Sequence, residues 1–160
     1  MIISVIGGQH PEDPESLRLA ERVGELVARS GAVLLCGGLT GVMEAACRGA
    51  KSAGGLTVGV LPGPDAREAN PYVDVPVVTA MGQARNTIVV RSGDAVIAVD
   101  GSFGTLSEIA NALDLRKKVF ALRSWDLPGR SLPEGLYVPV QTPEEAVRLA
   151  VEEARQSTRR

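Results

Sequence analysis

The sequence is short of aromatic rings, cysteine, histidine and lysine, and each shortage removes a class of function. Aromatic residues make up 3 % of the 160 positions, so a base-stacking platform for single-stranded nucleic acid has few rings to work with, and the core has to be aliphatic. The only histidine is His10, and the two cysteines, Cys36 and Cys47, belong to no CxxC pair. A zinc site of nitrogen and sulfur ligands is hard to assemble from these, and no metal is expected. Cys36 and Cys47 read as buried, reduced thiols. His10 reads as a surface residue of a first helical turn, and with no Ser–His or Cys–His partners legible, triad hydrolysis lacks support. Lys51, Lys117 and Lys118 are the only lysines. None sits in a glycine loop, which argues against a pyridoxal phosphate Schiff base.

Neither sign of charge is in excess. Lys and Arg number 17 against 19 Asp and Glu, a net charge of −2, so no basic surface calls for nucleic acid or a membrane. No apolar run reaches the roughly 18 residues of a membrane helix. Met1 leads directly into an apolar stretch without the basic start of a signal peptide, so the cytoplasm is the expected location.

What is present is an ordinary globular balance, 44 % hydrophobic and 22 % charged, in one domain's length of chain. The domain is expected over 1–156, with a polar tail at 157–160. Short apolar runs at 2–6, 32–36, 56–61, 73–78, 94–99, 119–122 and 137–140 read as strands. Helical spacing joins them. The first helix has Asp13 as N-cap, Pro14 at its first position and Gly31 as its stop. The last opens on Thr142 with Glu145 three residues on, a capping box. A helix is expected over 82–91 and a Pro/Gly-rich loop over 124–135. Strands alternating with helices predict a single α/β domain, Rossmann-like and doubly wound, whose mainly parallel sheet carries helices on both faces. Right-handed crossovers gather the strand-to-helix loops at one edge, where such folds bind ligands.

Three glycine loops fall at that edge: Gly7-Gly8, Gly37-Gly38-Leu39-Thr40-Gly41, and Asp100-Gly101-Ser102-Phe103-Gly104-Thr105-Leu106-Ser107-Glu108. None is a GxGxxG or a Walker A, which disfavours dinucleotides and ATP hydrolysis. A glycine loop ahead of a helix N-terminus suits a phosphate. Glu108 stands out there, since a carboxylate near an anion site repels it unless it reaches another part of the ligand. Thr105-x-x-Glu108 also fits a helical capping box. Otherwise Glu108 serves as a base, a sugar-binding carboxylate or a stabiliser of positive charge at a glycosidic carbon. Arg85, in Gly82-Gln83-Ala84-Arg85-Asn86, lies among small or apolar residues, and its guanidinium fork suits phosphate; the alternative is a surface arginine or an ion pair to Asp94.

These motifs resemble the LOG-like Rossmann family, often mislabelled as lysine decarboxylases, whose characterised members are cytokinin riboside 5′-monophosphate phosphoribohydrolases. That family carries PGGxGTxxE, matched by Asp100–Glu108; GGGxxGxM, matched from Cys36 to Met43 in all but its first glycine; and an Arg-Lys pair, where Arg85-Asn86 stands. Asp100, Ser102 and Asn86 depart from the pattern and look more like a branch that includes molybdenum-cofactor carriers. The resemblance implies Arg85 and Glu108 as a catalytic pair. It implies ligand or phosphate contacts from Gly7, Gly8, Gly37, Gly38, Thr40, Gly41, Asn86, Gly101, Ser102, Phe103, Gly104 and Thr105. It implies no resident cofactor, a small phosphorylated ligand (nucleotide or pterin) as partner, and a homodimer or larger homo-oligomer. Two functions follow as expectations: hydrolysis of the N-glycosidic bond of an AMP-like monophosphate, or carriage of a phosphorylated pterin without turnover.

Overall fold

The computed structural model describes residues 1–127, 132 and 134–157. Of the loop expected over 124–135 and the polar tail, 128–131, 133 and 158–160 lie outside the described residues. Seven strands, β1 (Ile2–Gly7), β2 (Val33–Cys36), β3 (Thr57–Leu61), β4 (Val75–Val78), β5 (Ala95–Val99), β6 (Val119–Leu122) and β7 (Tyr137–Val140), form one sheet in the order β4-β3-β2-β1-β5-β6-β7. Every pairing is parallel. The helices are α1 (Pro14–Arg29), α2 (Val42–Ser52), α3 (Asn86–Ser92), α4 (Phe103–Asp114) and α5 (Pro143–Ser157). This is the single-domain, Rossmann-like α/β architecture that the alternation predicts.

Strand composition explains the layers. All five residues of β5 are fully buried, which is why its sequence is apolar throughout instead of alternating. One face of the sheet packs on α1, α2 and α5 through residues such as Val23, Val27, Ala46 and Ala150. The other packs on α3 and α4 through Val89, Val90, Ile109 and Ala112. Local signals set the helix ends. The Asp13 carboxylate accepts from the Glu15 N–H at 2.9 Å, and Gly31 stops α1 at φ 77°. Thr142 Oγ1 accepts from the Glu145 N–H at 3.1 Å, while the Glu145 carboxylate accepts from the Gln141 N–H at 2.9 Å. Cys36 and Cys47 are buried free thiols with their sulfurs 3.5 Å apart.

Two elements differ from the sequence expectation. The helix expected over 82–91 is a 3₁₀ turn at Gly82–Arg85 followed by α3. Gly82 enters at φ 54°, and the β-branched run Thr87-Ile88-Val89-Val90 is a weak helix former on its own. The second difference concerns the capping box. Helix α4 already begins at Phe103, with Ser102 at the N-cap position and no side-chain cap bond. Thr105 and Glu108 are therefore both inside the helix, and Glu108 does not close on the Thr105 N–H. Asp100 and Gly101, at φ 55° and 152°, break the extended chain abruptly, so the helix starts sooner than the glycines suggest.

The order of strands reverses between β1 and β5. From β1 the chain proceeds outward through β2, β3 and β4; from β5 it proceeds the other way. The loops after β1 and β5 diverge there and leave a crevice at the carboxyl ends of the strands.

Candidate functional site

Two adjoining cavities occupy this crevice. The first, about 360 Å³, is lined by Gly7, Arg85, Asn86, Ser102, Gly104, Thr105 and Glu108, among others. The second, about 480 Å³, is lined by Gly8, Asp100, Gly101, Ser102 and Arg123, with Glu12 and Asp13 on its α1 side. His10 and Ser102 belong to both linings.

Arg85 is carried inward by the 3₁₀ turn and is only 7 % exposed. Its Nη1 donates to Asn86 Oδ1, and its Nη2 donates to the Gly37 carbonyl at 3.3 Å. Its Nε is buried with no partner among the described residues. Asp94 is not its counter-ion, because that carboxylate accepts from the Ile2 N–H at 2.8 Å. Burial lowers the Arg85 pKa, while the charge of Glu108 raises it. Thr105 is 1 % exposed, and its Oγ1 also has no partner among the described residues. Both residues line the first cavity.

Glu108 lies one turn beyond Thr105 on α4 and is 6 % exposed. Burial pushes its pKa up to about 8 against the opposing pull of Arg85. At neutral pH it is therefore mostly a neutral carboxyl with an O–H available to donate. The first cavity thus holds one full positive charge, two unsatisfied polar groups and the N-terminal end of α4, whose unpaired N–H groups and dipole favour an anion.

Several expected residues stand apart from the two cavities. Gly37, Gly38, Thr40, Gly41 and Phe103 lie outside both linings. The Gly38 carbonyl accepts from the Asn70 N–H at 2.9 Å. Gly41, at φ 70°, abuts the main chain of Gln9, and next to it the Val42 N–H donates to the Gly8 carbonyl at 3.0 Å. The 37–41 loop is thus a platform that locks the β1 loop and seats Arg85. Thr40 is exposed. Phe103 is 82 % exposed, its ring 5.7 Å from that of Trp125. The sequence reading missed Gln9, Leu39, Met43, Pro62 and Gln83 in the first lining and Asp100 and Arg123 in the second. His10 stands ahead of α1, outside its first turn, at the mouth of both cavities. Leu39, Met43 and Gln83 lie within the motifs themselves and were findable there; Pro62 carries no local signal.

Known proteins share this architecture. The molybdenum cofactor binding protein of Rippkaea orientalis superposes with a TM-score of 0.88 at 40 % identity, over 94 % of this chain and 95 % of that one. The molybdenum cofactor carrier protein of Chlamydomonas reinhardtii superposes at 0.86 and 35 % identity, over 96 % and 98 %. A cytokinin riboside 5′-monophosphate phosphoribohydrolase of Mycobacterium tuberculosis is 35 % identical over 113 residues, 69 % of this chain but 60 % of that enzyme's length. The model of the SLOG cluster4 family matches residues 1–153. With the glycine loops, Arg85 and Glu108 in place on this fold, the chain belongs to the SLOG cluster4 family.

Proposed function

We propose that this chain binds a small phosphorylated ligand in the crevice beyond β1 and β5, and that the ligand is a phosphorylated pterin held without cleavage. The observation that carries the reading is that Arg85 and Thr105, two residues lining one cavity, each hold a buried polar atom, Nε and Oγ1, with no partner among the described residues. Each such group costs about 1–3 kcal/mol when left unmatched, and a phosphate would satisfy both. The α4 N-terminus adds favourable potential, and a protonated Glu108 does not oppose the anion. The pterin identity draws on the likeness to the two carrier structures, which extends over nearly the whole chain. Thermal unfolding with molybdopterin-type ligands and nucleoside monophosphates tests it. A bound ligand raises the midpoint with concentration, and native mass spectrometry finds it intact. No shift with any phosphorylated ligand removes the reading.

A second reading is favoured by Arg85 and Glu108 sharing one cavity. In it, water adds to C1′ of a nucleoside 5′-monophosphate as the C1′–N bond breaks, Glu108 gives its proton to the departing base, and the proton that the water loses returns to the Glu108 carboxylate. Arg85 holds the phosphate, and the products are the free base and ribose 5-phosphate. Release of adenine from AMP above a Glu108→Ala control supports this; its absence excludes it.

A further inference from the structure

The two cavities differ in charge. Around the first, Arg85 is the one cation, and Glu108, with its proton held, adds little negative charge. Around the second stand three carboxylates, Glu12, Asp13 and Asp100, against the single guanidinium of Arg123. Arg123 is already paired to Asp13 at 2.6 Å. A phosphate in the second cavity would face repulsion; a group rich in N–H donors would not.

The carboxylates there are not equally available. Asp13 is committed, with one oxygen capping the Glu15 N–H and the other on Arg123. Glu12 is exposed. Asp100 is half-buried and firmly placed. Its N–H donates to the Leu122 carbonyl at 3.1 Å, and its carbonyl accepts from Ser124 Oγ at 2.6 Å. Its Oδ1 accepts from the Gly101 N–H at 2.7 Å, and its Oδ2 has no partner among the described residues.

We propose that the crevice orients its ligand end to end. The anionic group lies on Arg85 and Thr105, and the Asp100 carboxylate reads a 2-amino-4-oxopyrimidine edge, the N–H and NH₂ donor pair common to pterins and guanine. This rests on the reading of the crevice as a phosphorylated-ligand site, and it adds the class of ring. A carboxylate offers two acceptors in a plane and matches two parallel donors, as it does with a guanidinium. Adenine presents a donor beside an acceptor on its corresponding edge, so its ring nitrogen would face a carboxylate oxygen.

Calorimetric titrations of the whole protein at pH 7 test this with four probes: GMP, IMP, AMP and neopterin monophosphate. GMP and neopterin monophosphate are expected to bind about tenfold or more tightly than AMP, the discrimination a bidentate base contact gives. IMP, which lacks the 2-amino group, falls between. Asp100→Asn presents a donor where an acceptor was, and asparagine tolerates the positive φ; it brings GMP down to the level of AMP. A tighter fit for neopterin monophosphate than for GMP identifies the pterin as the source of the edge, and the reverse order identifies a nucleotide. Equal binding of GMP and AMP in the wild type overturns the proposal by itself, and so does a preference that survives in Asp100→Asn. If all four bind alike and Arg85→Ala abolishes binding, the phosphate site stands and only the Asp100 role falls. If none binds, both fall.

Discussion

Arg85 fills the space in which any side chain at position 37 would sit. A Cβ placed on Gly37 falls 2.6 Å from Arg85 Nη2 and 2.7 Å from Met43 Sδ. Gly37→Ala is therefore expected to dislodge the guanidinium with little harm to the fold, since flexible side-chain ends can move. Affinity for GMP should fall about tenfold to a hundredfold, because a charge-assisted hydrogen bond is worth about 1.5–3 kcal/mol. Unchanged affinity by calorimetry would show that Arg85 does not hold the ligand.

Thr105→Val replaces an orphaned hydroxyl by a methyl of similar shape. The folded protein should gain about 1 kcal/mol while the affinity for GMP falls, the trade expected when a polar group is kept for binding rather than for stability. Urea midpoints at constant slope measure the first, titration the second. A less stable variant would mean that the hydroxyl has a partner in the folded protein.

Glu108 makes stability depend on pH. Its carboxyl ionises near 4.5 in the unfolded chain and near 8 in the folded one. Between these values the folded protein holds a proton that the unfolded chain has released, so raising the pH favours unfolding. The Glu108 contribution is complete below about pH 4.5, declines by at most about 1.4 kcal/mol per pH unit, and levels off above about pH 8. Glu108→Gln lacks this decline. The stability of the variant relative to wild type should rise steadily across that window, and a flat difference would contradict a shifted Glu108. Anion affinity of the wild type should weaken above pH 8 as the carboxylate forms.

Gly7 sits where β1 passes under α2. An added Cβ would lie 2.3 Å from Val42 Cγ1 and 2.6 Å from the Val99 carbonyl oxygen. Backbone stands on one side of that contact, so relief is limited, and Gly7→Ala should cost about 1–3 kcal/mol by overpacking. Denaturant unfolding measures it; a neutral substitution would mean that α2 can shift outward.

Most of the fold was legible because its strands are short, wholly apolar and punctuated by glycine or proline. The sheet order was not, since nothing in Val58 or Val96 names its neighbour; only the crossover rule implied that the loops converge. Arg85 was legible as an arginine in apolar company, and its burial bears that out. Glu108 was ambiguous because a Thr-x-x-Glu spacing occurs at helix starts and within helices alike, and only the early start of α4 decides. A missing side chain reads the same whether a ligand or a neighbouring group takes the space: Arg85 and Met43 stand at Gly37, Leu61 at Gly38 and the Gln9 main chain at Gly41. Asp100 was noted only as a departure from the family motif; its place beside the second cavity depends on Arg123 and Asp13, far away in sequence.

The positive φ of Asp100 constrains which residues can stand at this position. Where the resembling motif has proline, the ring fixes φ near −65°, whereas Asp100 holds φ at 55°. The two loop forms are therefore not one substitution apart. Asp100→Pro would have to turn over the peptide at this position as well as exchange the residue, so the side chain beside the second cavity and the backbone that carries it change together.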